Sequence, residues 1–157
     1  GFPNDVACGG GEIYVSDTRR NALYRLEDGK LGVWLEGGEI AAPNALLLDG
    51  ESLVVGNSGD GCFKRVSLAD RRVETLACLG SGSVMDGIRP DGKDGYLAGD
   101  YNGRLFRLSP SGEKTELLNT TARGVFCADF EYVAERGLIV VPTLNDNRLL
   151  AWKLAPE

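Results

Sequence analysis

The chain has 157 residues, 43% hydrophobic and 25% charged, and its 23 Asp and Glu outnumber 17 Lys and Arg to give a net charge of −6. That length supports one domain with a real core. The acidic balance argues against nucleic acid as a partner, because its phosphates need a basic face. Histidine is absent, which excludes Ser-His-Asp and Cys-His chemistry, imidazole zinc sites and a histidine proton shuttle, and no run of 18 apolar residues is present to span a membrane.

Taken in order, the first segment, 3–42, reads as strands over 6–8, 12–16, 22–27 and 30–36. The second, 43–84, reads as strands over 45–49, 52–57, 62–68 and 72–79. The third, 85–124, gives 87–90, 95–100, 104–109 and 113–119. The fourth, 125–157, gives three strands only, over 125–132, 137–143 and 148–154. Turn signals separate them. Among the 22 glycines are the Asp-Gly pairs Asp28-Gly29, Asp49-Gly50, Asp60-Gly61, Asp86-Gly87, Asp91-Gly92 and Asp94-Gly95, which suit hairpin turns needing positive φ. Third strands such as Ala22-Leu23-Tyr24-Arg25-Leu26 mix apolar and basic residues, as half-solvated strands do. Second strands such as Leu53-Val54-Val55 and Leu138-Ile139-Val140-Val141 are apolar on both faces and are expected deep inside. Trp34 and Trp152 are expected to be packing residues, and Gly80-Ser81-Gly82-Ser83 reads as a linker.

The four segments open in phase. Asn4, Asn44, Asp86 and Asp129 are spaced by 40, 42 and 43 residues. A second polar position follows at Asp17, Asn57 and Asp100, and Pro142 holds that place in the fourth. A repeat of about 40 to 50 residues built from strands indicates propeller blades. The fold expected is therefore an all-β beta-propeller, a single domain over 1–157 with about four blades present (3–42, 43–84, 85–124 and 125–157). The missing fourth strand of the last blade is expected from upstream of Gly1, as part of a six-bladed ring. A self-closing four-bladed ring is the other arrangement. An apolar blade face exposed at each end makes self-association an expectation.

In such a ring the first strands line the axis, so Asn4, Asn44, Asp86 and Asp129 would converge, with Asp17, Asn57 and Asp100 behind them. Carboxylates and amide oxygens crowded together repel one another unless a hard cation relieves them, and oxygen-only ligands favour Ca²⁺, Mg²⁺ or Mn²⁺. The alternative is structural: Asn and Asp recur at turns because they bond to nearby backbone. Asp17 and Asp100, each followed by a tight turn, fit that role. Cys8, Cys62, Cys78 and Cys127 lack Cys-x-x-Cys spacing. Cys8 and Cys127 are expected as buried thiols. Cys62 and Cys78 fall on adjacent strands, where register decides between a disulfide and the commoner buried free thiols.

Phe2-Pro3-Asn4-Asp5, Ala42-Pro43-Asn44-Ala45-Leu46 and Met85-Asp86-Gly87-Ile88 followed by Pro90-Asp91-Gly92 resemble motifs of the senescence-marker-protein/gluconolactonase/luciferin-regenerating family. The resemblance implies a six-bladed propeller with one divalent metal ion (Ca, Mn, Mg or Zn) and hydrolysis of a lactone or sugar-like substrate. By position it implies Asn44 and Asp86 as metal ligands, Asp86 also as general base, and Asn4 as a substrate-binding residue. The family's remaining ligand, a Glu, would lie before Gly1, and Phe2 stands where the family often has Arg. Export with the leader absent from this chain is a family-level expectation. A non-catalytic ligand- or protein-binding propeller of NHL-repeat type is the competing reading, and a strictosidine-synthase-like propeller is a third.

Overall fold

A computed structural model describes residues 1–145 and 147–154. They form two compact units, Gly1–Met85 and Asp86–Glu157. The first holds two four-stranded sheets. Sheet 1 is β1 (Pro3–Gly9), β2 (Glu12–Asp17), β3 (Ala22–Glu27) and β4 (Lys30–Glu36). Sheet 2 is β5 (Pro43–Asp49), β6 (Ser52–Asn57), β7 (Cys62–Ser67) and β8 (Val73–Cys78). Sheet 3 is β9 (Met85–Pro90), β10 (Tyr96–Asp100), β11 (Arg104–Leu108) and β12 (Lys114–Asn119). Sheet 4 has three strands, β13 (Glu131–Val133), β14 (Leu138–Pro142) and β15 (Leu149–Lys153). The strand pairs are antiparallel neighbours in sequence, so each sheet is a meander. The tight turns rest on residues that tolerate positive φ, such as Asp28-Gly29 at φ 49° and 74°.

In the first unit the core lies between the sheets. Ala7, Tyr14, Leu23 and Trp34 of sheet 1 meet Leu46, Leu53, Val55 and Val66 of sheet 2. Trp34 stacks edge-on against Tyr14 with ring centroids 4.8 Å apart, the favoured aromatic geometry. In the second unit Leu97 and Leu105 meet Phe130, Ile139 and Val141, with Trp152 packed alongside. Both tryptophans are packing residues, as expected.

Several sequence expectations change. The opening strand of sheet 4 covers Glu131–Val133 instead of 125–132, and the 3-10 turn Thr121–Arg123 precedes it. The backbone there bonds to loop groups instead of a strand: the Cys127 N–H donates to the Tyr101 carbonyl at 3.0 Å, and the Val125 carbonyl accepts from Thr120 Oγ1 at 2.7 Å. Leu53, Val54 and Val55 are buried on both faces, whereas β14 buries Ile139 and Val141 and leaves Leu138 and Val140 half-buried. Cys8 is exposed, because its strand position points away from the core that holds Ala7; Cys127 is buried. Cys62 and Cys78 are register partners on β7 and β8 and form a disulfide. Finally, the buried polar residue closing β14 is Thr143 rather than Pro142. Its hydroxyl accepts from the Arg148 N–H at 3.3 Å and donates to the Arg148 carbonyl at 3.0 Å. The spacing there follows the Asp86-to-Asp100 step, one residue longer than in sheets 1 and 2.

Candidate functional site at the sheet openings

Asn4, Asn44 and Asp86 occupy the same place: each is the second residue of the first strand of its sheet. In sheets 1 and 2 that place is a β-bulge. The pairing runs from Pro3 with Asp17 to Val6 with Val15, and from Pro43 with Asn57 to Leu46 with Val55. One extra residue in the opening strand breaks the strict alternation of faces and re-aims the side chains there.

Hydrogen bonds fix the bulge in the first unit. The Asp5 carboxylate accepts from the Val6 N–H at 2.7 Å and, across to the next sheet, from the Leu46 N–H at 2.7 Å. The Ser16 hydroxyl donates to the Asn44 carbonyl at 2.8 Å and accepts from the Asp5 N–H at 2.9 Å. Thr18 Oγ1 donates to the Pro43 carbonyl at 2.8 Å and accepts from the Asn4 side-chain amide at 3.1 Å. Asn4 is exposed and Asn44 is buried. These bonds tie the opening of sheet 1 to the opening strand of sheet 2.

In the second unit Asp86 is half-buried on β9. Asp129 lies outside the strands, two residues ahead of β13, and is exposed. Its Oδ1 accepts from the Phe130 N–H at 2.8 Å, and its Oδ2 pairs with Arg89 at 3.0 Å. Arg89 also reaches Glu131 at 3.2 Å. Burial works against the Arg89 charge, but the two carboxylates outweigh it and raise its pKa. Asp86 and Asp129 do share a neighbourhood. Burial, followed by the Asp86, Asp100 and Asp129 carboxylates, pushes the Cys127 thiol up to about 12. A thiol protonated so far above neutrality is no nucleophile. A side chain at position 87 would meet Asp129 Oδ1 at 2.7 Å and the Phe130 ring at 2.9 Å, so only glycine fits there.

The second polar layer is structural where its bonds are seen. Asp17 accepts from the Phe2 N–H at 2.8 Å and the Arg20 N–H at 3.1 Å, and the Phe2 bond is the main reason its carboxyl titrates below the usual range. Asp100 accepts from the Asn102 N–H at 3.1 Å and from Arg104 Nε at 2.9 Å. Asn57 instead donates its amide to the Glu39 carbonyl at 2.6 Å, a bond that a carboxylate could not make. Sequence reasoning missed Asp5, Ser16, Thr18 and Arg89. One signal was present: Ser16, Gly56 and Gly99 hold the position before Asp17, Asn57 and Asp100, all small. A Cβ at Gly56 would come within 2.6 Å of Met85 Cβ.

Among the described residues no three His, Cys, Asp or Glu side chains gather as a metal-binding set. An amide oxygen such as that of Asn44 and a carboxylate such as that of Asp86 are each a donor of the kind that a hard divalent cation takes.

No family model matches the sequence, and no curated protein matches it. Solved structures do. A structural-genomics target classed as a gluconolactonase is 20% identical, with a TM-score of 0.71 over 95% of this chain and 57% of that one. A chain of a nidogen/laminin complex is 12% identical, with a TM-score of 0.78 over 96% of this chain and 60% of that one. The virginiamycin B lyase of Staphylococcus aureus is 13% identical, with a TM-score of 0.71 over 96% of this chain and 55% of that one. The chain thus spans between 55% and 60% of the length of these three proteins. Likeness at such identity establishes the fold: this is an all-β protein of four antiparallel sheets, of propeller type.

Proposed function

We propose that the chain belongs to a metal-dependent hydrolase of gluconolactonase type, one that opens a lactone or related ester. The observation that carries this reading is positional: Asn4, Asn44 and Asp86 are the second residues of three successive opening strands. They also follow the order in which the gluconolactonase family uses Asn, Asn and Asp. Asn44 and Asp86 would hold a divalent cation, and Asn4 would orient the substrate. A bound cation of this kind polarises an ester carbonyl and lowers the pKa of water. Asp86 accepts the proton of the attacking water as general base. Asp129, already paired with Arg89, would add negative field near Asp86. The Cys62–Cys78 disulfide supports an oxidising compartment, in line with export.

A ligand- or protein-binding propeller without catalysis is the second reading. It is favoured by Phe2, which is 48% exposed with the Arg19 guanidinium 5.6 Å over its ring, in the place where the family often has Arg. The nidogen/laminin likeness is to a protein solved in a complex.

Calorimetric titration of Ca²⁺, Mn²⁺, Mg²⁺ and Zn²⁺ into the chain and its Asp86→Ala variant, followed by lactone turnover, separates the two readings. Binding and turnover that Asp86→Ala abolishes are the expected result. Turnover unchanged in Asp86→Ala would overturn the assignment of the base, and no binding in any form would favour the second reading.

A further inference from the structure

Asn119-Thr120-Thr121 is the one Asn-x-Ser/Thr triplet in the sequence, and its middle residue is not proline. The fold gives an added group room there. Asn119 is the last residue of β12, and β12 is the outermost strand of sheet 3. Asn119 and Thr121 are exposed, while Thr120 between them is buried. Thr120 anchors the triplet: its N–H donates to the Gly103 carbonyl at 2.7 Å, and its Oγ1 lies 2.7 Å from the Val125 carbonyl. The side chains on either side stay in solvent.

The Asn119 amide is held at both ends. Its Oδ1 accepts from the Thr121 N–H at 3.2 Å and from Thr121 Oγ1 at 2.7 Å, an Asx turn closed twice. Its Nδ2 donates to the Glu116 carboxylate, at 3.2 and 3.3 Å from the two oxygens. An amide nitrogen is a poor nucleophile because its lone pair is delocalised into the carbonyl. Donors on the oxygen and an acceptor on the N–H both favour the form in which the nitrogen gives up its proton and its lone pair can react. These partners are Glu116 and Thr121, close neighbours in sequence, so the arrangement needs no finished sheet.

We propose that Asn119 is an acceptor site for an N-linked glycan. Its Nδ2 attacks the anomeric carbon of an oligosaccharide carried on a polyprenyl diphosphate. The carbon–nitrogen bond forms as the bond from that carbon to the phosphate oxygen breaks. The electron pair leaves with the diphosphate, and the nitrogen's proton passes to a carboxylate base of the transferring enzyme; nothing is oxidised or reduced. The proposal rests on the export half of the reading above, to which the Cys62–Cys78 bridge belongs, and not on the hydrolase half. An outer strand presents backbone groups open to pairing with other chains, and a glycan at its end shields them.

Secretion of the chain from eukaryotic cells behind a cleavable leader tests it. Wild type is expected to run as a slower band that an amidase specific for N-linked glycans collapses, leaving Asp at position 119 in the peptide mass. Asn119→Gln and Thr121→Ala should abolish the slower band, and Thr121→Ser, which keeps the hydroxyl, should retain part of it. Both positions are exposed, and circular dichroism checks that each variant folds. Secreted wild type with the Cys62–Cys78 bridge formed but Asn119 unmodified would overturn the site, as would a glycan that survives Thr121→Ala. Lactone turnover by the same secreted protein reports on the hydrolase reading separately, so failure of one leaves the other standing.

Discussion

In Gly1–Met85 the second sheet is tied to the first by hydrogen bonds. Asp5, Ser16 and Thr18 reach across to the backbone of Leu46, Asn44 and Pro43. In Asp86–Glu157 the corresponding join has a different basis. Buried Phe130 packs against Gly87 and Gly99, and the Arg89 ion pairs lie outside it. Phe130 in fact takes the place that Asp5 holds in the first segment, one residue after the in-phase Asn or Asp. The second sheet of the first unit opens with a seven-residue strand, and that of the second unit with a three-residue strand. Polar latches set a register residue by residue, because each donor needs its own acceptor. An aromatic plug supplies more burial but directs only its immediate surroundings. The comparison teaches that one repeat can be joined by either means.

If that contrast is right, the two units respond differently to truncation. Phe130→Ala should have the largest effect, about 3–5 kcal/mol of destabilisation by loss of a buried aromatic. Urea unfolding followed by amide exchange should show that loss in Asp86–Glu157 while protection in Gly1–Met85 persists. Replacing both Cys62 and Cys78 with Ala should cost about 3 kcal/mol, the chain-entropy value for a loop of this size, since the bridged residues are 16 apart. This cost should appear in the first unit only, read as a lower unfolding midpoint equal to that of the reduced wild type. Asp5→Ala should cost about 1–3 kcal/mol, because the Leu46 N–H loses its acceptor. Exchange should quicken at Leu46 and Val6 before it does at Leu53. Unchanged exchange at Leu46 would break the latch side of the comparison. Arg89→Met should be the smallest, at most about 1 kcal/mol, because its carboxylate partners are well exposed. A larger loss, or one insensitive to salt, would mean that the ion pairs and not Phe130 hold the second join.

The legible part of the fold was local. Hairpin turns at Asp28-Gly29 and strand alternation in Ala22–Glu27 are set by residues next to one another, so spacing alone gave those elements their places. The openings of sheets 1 to 3 were equally readable as a phased Asn, Asn, Asp series. The failures were also physical. Val125 to Asp129 carries apolar residues but is not a strand, since pairing depends on a neighbour that no local pattern reveals. Cys62 and Cys78 could be placed on adjacent strands, but their bridge depends on register. Asp129 looks like Asp86 in the sequence, yet Arg89, forty residues away, engages it.

The sequence by itself determined the repeat, the all-β class, the order of the sheets and the absence of histidine chemistry, because these depend on composition and short-range geometry. Tertiary structure alone decided what each polar oxygen meets. Asp17, Asn57 and Asp100 share one repeat position, yet they contact a turn N–H, a linker carbonyl and an arginine respectively. The physical reason is that a hydrogen bond acts only over about 3 Å, and which groups come that close is fixed by how distant strands pack.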